Sequence, residues 1–183
     1  MSLQTLKDHV PDFAKDVRLN VGSLPNSTAL NAAQLWGTVL ACAVATRNPQ
    51  VAAAAMADAA AHVPENVRQA ALTAASLMGM NNVYYRALHL LNSDDYRNMP
   101  ARLRMTAIAN PGVERVDFEL MCLGVSAING CGMCLESHAH EVLTKGQTRD
   151  AVQEALRIAA IVQSLAVALE AAQVAQTTIA AAA

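Results

Sequence analysis

Long apolar stretches, separated by short breaks rich in proline, glycine and asparagine, run the length of the chain and predict about seven or eight helices. The first spans Leu3 to about Asn20, with Pro11 starting a new turn or kinking it. A loop over Ser23 to Thr28 follows, and Thr28 or Asn31 is placed to cap a helix that runs to Thr46. Asn48-Pro49 puts proline in a first helical turn and opens an alanine-rich helix to His62. Pro64 starts another, which reaches about Leu91 with Gly79 or Asn81-Asn82 as a candidate break. Asn92 to Asn98 reads as a solvated polar loop, Pro100 as the start of a short helix to Ala109, and Asn110-Pro111-Gly112 as a turn. Three more helices cover Val116 to Asn129, Cys131 to Lys145 with Gly146 as C-cap, and Arg149 to about Val174. The last residues, Thr177 to Ala183, are expected to fray.

Composition sharpens this pattern to an all-α protein. The 183 residues include 38 alanines, and 54% are hydrophobic but only 3% aromatic. Such a core is aliphatic, and its small side chains let helices approach closely. The length fits a single domain over residues 1–183. Trp36 to Ala55 can be laid over Glu119 to His138 at an offset of 83 residues, and Ala70 to Asn82 over Glu154 to Val167 at about the same offset. This suggests two related helical halves, roughly 29–91 and 112–175. Alanine-rich helices also align by chance, so periodicity alone leaves a duplication open.

Charge and hydropathy then exclude several function classes. A formal net charge of −2 with no basic block lacks the footprint of a nucleic-acid binder. The N-terminus, Met1-Ser2-Leu3-Gln4-Thr5-Leu6-Lys7, is mixed and polar rather than a secretory signal. The most apolar segment, Ile158 to Leu169, is interrupted by Gln163 and Ser164 and closed by Glu170. It falls short of the roughly 18 unbroken apolar residues that span a bilayer. The chain is therefore expected to be soluble and cytoplasmic, with neither membrane nor nucleic acid as partner. Its four cysteines are too few for a disulfide scaffold, and in a reducing compartment a C-x-x-C pair points to catalysis or metal binding.

Candidate chemistry centres on Cys131-Gly132-Met133-Cys134, with His138 four residues further on. Thiols at i and i+3 share a helix face, and a histidine four residues past the second thiol lies on that face too. The thiolate is the nucleophile, so an imidazole beside Cys134 activates it. Asn129-Gly130 is a turn signal that sets Cys131 at or just inside a helix N-terminus, where free N–H groups favour a thiolate. By position Cys131 is the more exposed sulfur, which leaves open whether an incoming thiol strikes it and expels Cys134 as a His-stabilised thiolate. Glu119 stands in an apolar run 12 residues before Cys131, about 18 Å away along one straight helix. It reaches the dithiol only if the chain folds back at Asn129-Gly130, where it would orient His138 as a triad carboxylate does. Otherwise it is a surface glutamate on an amphipathic helix.

These residues resemble a known family. Glu119, the Cys131/Cys134/His138 pattern, Ser126-Ala127-Ile128-Asn129-Gly130, and Met78-Gly79-Met80-Asn81-Asn82-Val83 with Tyr85-Arg86 look like the alkylhydroperoxidase D (AhpD) family. That family lies within the carboxymuconolactone decarboxylase-like superfamily, and the likeness extends through Leu35-Trp36-Gly37-Thr38 and Ala45-Thr46-Arg47-Asn48-Pro49. The resemblance implies an all-helical, duplicated fold assembling as a homotrimer. It also implies an antioxidant enzyme whose C-x-x-C pair peroxide oxidises to a disulfide, with no tightly bound cofactor. A reduced lipoyl group, dihydrolipoamide, restores the thiols, and members pass electrons to an AhpC-type peroxiredoxin. The electrons come from dihydrolipoamide dehydrogenase through a lipoyl-bearing acyltransferase. By the same resemblance Cys134 is the peroxidatic thiol, Cys131 the resolving thiol, His138 the base and Glu119 the relay carboxylate. Met133 departs from the pattern, since the family places a histidine there and a thioether shuttles no proton.

Two rival readings remain at this point. A zinc-binding helical module would use Cys131, Cys134 and His138, but His140, two residues on, points about 200° away from His138 and cannot be the fourth ligand. A superfamily decarboxylase, or another dithiol function, is the other, because fold does not fix activity. Cys42 and Cys122 read as small core residues, Met78, Met80 and Trp36 as core or subunit contacts, and His9, His62, His89 and His140 as surface or interface residues.

Overall fold

The computed structural model describes residues 1–182, the side chains of residues 1–176 among them. The fraying expected of Thr177 to Ala183 therefore lies outside the fully described residues. The elements are α1 (Leu3–Leu6), α2 (Lys15–Ser23), α3 (Ala32–Ala45), α4 (Pro49–His62), α5 (Glu65–Leu91), α6 (Asp94–Arg97), α7 (Thr106–Ala109), α8 (Arg115–Asn129), α9 (Gly132–Thr144) and α10 (Arg149–Ala182). No strand occurs among the described residues, so the chain is all-α.

Two helices form the centre. Every residue from Gln34 to Ala43 of α3 and from Asp117 to Ser126 of α8 is buried, as expected of helices with apolar residues all round. They pack on one another, α3 also against α4 and α5, and α8 also against α5, α9 and α10. Small residues allow the close crossing. A Cβ on Gly124 would stand 2.6 Å from Cys42 Sγ and 3.1 Å from Thr38 Cγ2. Near the N-terminal ends Gln34 Nε2 donates to Asp117 Oδ1 at 2.9 Å, a buried polar tie across the crossing.

Local signals explain most helix ends. Asn31, rather than Thr28, caps α3, its side chain accepting from Gln34 N while the Gln34 side chain accepts from Asn31 N. Asn48 Oδ1 caps α4 by accepting from Gln50 N and Val51 N, with Pro49 in the first turn. Gly146, at φ +89°, ends α9 as the sequence suggested. The starts of α3, α4 and α5 recur in α8, α9 and α10 at an offset of 83 or 84 residues. The left-handed turn residues Arg47 (φ 63°) and Gly130 (φ 66°) are 83 apart as well.

Four expectations change. Leu3 to Asn20 is not one helix: Val10 is extended before Pro11, and 3₁₀ turns at Lys7–His9 and Asp12–Ala14 separate α1 from α2. The helix α5 runs through Gly79 and Asn81-Asn82 without a break, because Asn82 Nδ2 donates to Ser126 Oγ at 2.9 Å and this tie to α8 outweighs local propensity. The segment from Pro100 to Met105 forms no regular helix, with Arg102 in the left-handed conformation, and helix resumes only at Thr106. The polar stretch after Asn92 is exposed but forms the short helix α6. By length and composition 149–176 of α10 could cross a membrane, yet Ala155, Ile158, Val162 and Leu165 along one face are completely buried in the core.

Candidate active site

The fold-back that Glu119 requires does occur. Gly130 ends α8 in the left-handed conformation, Cys131 N donates to Ser126 O, and α9 returns alongside α8. Two side chains of α5 hold this turn: Arg86 Nη1 donates to Asn129 O at 2.5 Å, and Asn82 Oδ1 accepts from Asn129 Nδ2 at 2.9 Å. The first satisfies a carbonyl left free at the end of α8.

Cys131 is the N-cap of α9, and its sulfur accepts from Cys134 N at 3.4 Å. The two cysteines are joined as a disulfide, with Cα atoms 5.3 Å apart. Their exposure is the reverse of what helix position suggested. Cys131 is 0% exposed and Cys134 7%, and Cys134 lines the cavity in front of the site while Cys131 does not. The N-cap sulfur turns back over its own first turn to accept from Cys134 N, whereas Cys134, one turn on, borders the cavity. The sulfur that borders the cavity is therefore that of Cys134.

His138, one turn beyond Cys134, has its side chain 12% exposed, and its Nδ1–H donates to Glu119 Oε2 at 2.6 Å. Glu119 is 1% exposed, which removes the alternative of a surface glutamate. Its other oxygen accepts from Arg115 Nε at 2.6 Å. Burial by itself would raise the Glu119 carboxyl, but hydrogen bonds and charges from His138 and Arg115 outweigh it and hold the group below its ordinary value of 4.5. A carboxylate so depressed contributes stability that is fully present above 4.5 and lost as pH falls through its folded value. Glu119→Gln is accordingly expected to flatten the acid limb of the unfolding temperature below pH 4.5; an acid limb as steep as that of the unsubstituted protein refutes this.

With Nδ1 bonded to Glu119, Nε2 is the nitrogen left for chemistry, and Met78 Sδ lies 3.2 Å from it. Met78 is 0% exposed and, as expected, part of the core, but it also forms the floor of the site. The cavity here has a volume of about 350 Å³. Its apolar wall includes Met105, Ile108 and Met133, and its polar lining includes Asn81, Ser137 and Glu141. Asn81 Oδ1 is buried with no donor among the described residues.

The other cysteines and histidines lie elsewhere. Burial pushes the Cys42 and Cys122 thiols far above the ordinary value, as inert core residues. His62 stacks on Trp36 with ring centroids 4.6 Å apart, and His140 sits 3.5 Å from Thr144 Oγ1. His9 and His89 are on the surface. Four further residues, Arg115, Met78, Asn82 and Arg86, build the site; the last three stand in the stretch that carries the family resemblance, but nothing in their spacing ties them to the dithiol. Arg115 alone could have been found, since it is four residues before Glu119 and thus on the same helix face.

Comparison with known proteins finds relatives along nearly the whole chain. A family model described as the carboxymuconolactone decarboxylase family matches residues 94–177, which include Glu119, both cysteines and His138. An alkyl hydroperoxide reductase AhpD from Methylocella silvestris is 55% identical over 173 residues, 94% of this chain and 97% of that protein. One from Brucella canis is 55% identical over 94% of this chain and 98% of the relative, and one from Rhodospirillum centenum is 50% identical over 93% and 92%. At such identity along nearly the full length of both partners, the chain belongs to the AhpD family.

Proposed function

We propose that this protein is an alkyl hydroperoxide reductase that cycles the Cys131/Cys134 pair between dithiol and disulfide. The observation that carries the reading is that Glu119, His138 and Cys134 line one cavity: a buried carboxylate bonded to an imidazole one helical turn from the sulfur that borders the cavity. The AhpD relatives, by name alkyl hydroperoxide reductases, support it.

In the reduced protein His138 takes the Cys134 S–H proton while Glu119 holds its far side. The thiolate attacks the terminal oxygen of R–O–O–H, the O–O bond breaks, and the departing alkoxide takes up the proton as ROH. Cys134 is left as a sulfenic acid. The Cys131 sulfur attacks it, the S–O bond breaks, water leaves and the disulfide forms. A dihydrolipoyl thiol then attacks Cys134, the sulfur that borders the cavity, and expels Cys131 as a thiolate. The free N–H groups at the start of α9 favour that leaving group. The second lipoyl thiol resolves the mixed disulfide, so both cysteines return as thiols and the lipoyl group becomes a disulfide.

Lipoyl dependence carries with it the partners of this cycle: a lipoyl-bearing dihydrolipoamide acyltransferase, dihydrolipoamide dehydrogenase, and an AhpC-type peroxiredoxin, in the cytoplasm. The same reading makes the molecule a homotrimer, and exposed apolar residues such as Val83, Leu90, Leu91 and Val167 are suited to subunit contacts. The test uses dihydrolipoamide as reductant and cumene hydroperoxide as oxidant. Continuous hydroperoxide consumption, with one disulfide formed per chain in the absence of reductant, is expected. Persistence of the Cys131 and Cys134 thiols in the reduced protein under excess hydroperoxide would overturn the assignment.

A further inference from the structure

Arg115 touches two things at once. Its Nε donates to Glu119 Oε1 at 2.6 Å, and its Nη1 donates to the Ile108 carbonyl at 2.8 Å. Ile108 belongs to the short helix α7, and Met105 immediately precedes that helix. Both residues are half-buried and line the same cavity as Cys134 and His138. Residues 98–105 make no regular helix, so this strap has little backbone structure of its own to fix where Met105 and Ile108 lie. A planar guanidinium suits the task, since its fork of donors meets a carboxylate on one edge and a carbonyl on another. The Arg115 side chain is 38% exposed while that of Glu119 is 2%, so it closes the relay from the solvent side.

We propose that Arg115 is a positioning residue that couples the proton relay to substrate choice, by fixing the Glu119 carboxylate and pinning the Met105–Ile108 strap as the apolar wall for the alkyl group of an organic hydroperoxide. The proposal rests on the reductase reading above. Hydrogen peroxide needs only the relay, whereas a hydroperoxide with a bulky apolar group also needs the wall. One side chain therefore tunes two separable quantities: the rate with hydrogen peroxide and the preference for the organic substrate over it. A lysine at this position keeps a cation for Glu119 but cannot also reach the Ile108 carbonyl with the geometry of a guanidinium.

The experiment follows thiol oxidation of the reduced full-length protein by hydrogen peroxide and by cumene hydroperoxide in stopped flow. Arg115→Ala should slow hydrogen peroxide by about tenfold or more, in the range seen when a supporting hydrogen bond to a site ligand is removed. It should also reduce the preference for cumene hydroperoxide by about tenfold, the scale of a few lost apolar contacts. Arg115→Lys should recover most of the hydrogen peroxide rate without recovering the preference, a split that a merely structural role would not produce. Met105→Ala should lower the preference through the wall itself. Arg115→Ala with the unsubstituted protein's preference overturns the proposal, as does Arg115→Lys recovering rate and preference together. If the unsubstituted protein oxidises with neither peroxide, the reductase reading has failed and this inference falls with it.

Discussion

Cys134→Ser is expected to abolish hydroperoxide consumption, by at least about a thousandfold, because a serine hydroxyl beside an imidazole is no substitute for a thiolate toward an O–O bond. Cys131→Ser should behave differently. Cys134 still faces the cavity and still has His138 one turn away, so it reacts once with hydroperoxide and stops as a sulfenic acid. Turnover with dihydrolipoamide is then lost, while a single stoichiometric oxidation remains, detectable by trapping the sulfenic acid with dimedone and by mass. Full turnover in Cys134→Ser, or dimedone trapping in Cys134→Ser but not in Cys131→Ser, would reverse the roles.

His138→Ala should slow thiol oxidation by hydroperoxide by about 10²- to 10³-fold near neutral pH, the usual contribution of a positioned general base. The loss should shrink as pH rises past about 8.5, where an unassisted thiol ionises by itself. Glu119 loses its bond to His138 in this variant but keeps Arg115, so the fold around α8 should persist. The pH–rate profile is the deciding measurement. A uniform loss at all pH values would mean that His138 supports the structure of the site rather than the ionisation of Cys134.

Sequence spacing places residues correctly where helix geometry acts over a few positions. Cys131, Cys134 and His138 are spaced so that any helix puts them together, and Asn129-Gly130 marks the end of α8 because glycine readily takes the left-handed turn. It fails where a neighbour from elsewhere decides. Cys131 at the helix end was expected to be the exposed sulfur, but the junction of α8 and α9 covers it and leaves Cys134 at the cavity. The candidate break at Gly79 or Asn81-Asn82 does not form, since Asn82 is tied to Ser126 and Asn129 across the interface with α8. Met78 looked like ordinary core and is core, yet its sulfur also lies against His138.

The helical class, most helix starts and the C-x-x-C pair with a histidine one turn on are legible in the chain, because propensity, capping and i, i+4 spacing are local and need no partner. Long-range packing alone brings Glu119, 19 residues from His138, onto its Nδ1, and lets Arg115 tie that carboxylate to the strap carrying Ile108. Those contacts depend on α9 folding back beside α8 and on α7 packing near the start of α8. A buried carboxylate demands compensating partners wherever the fold can supply them, and the chain alone does not say where those partners come from.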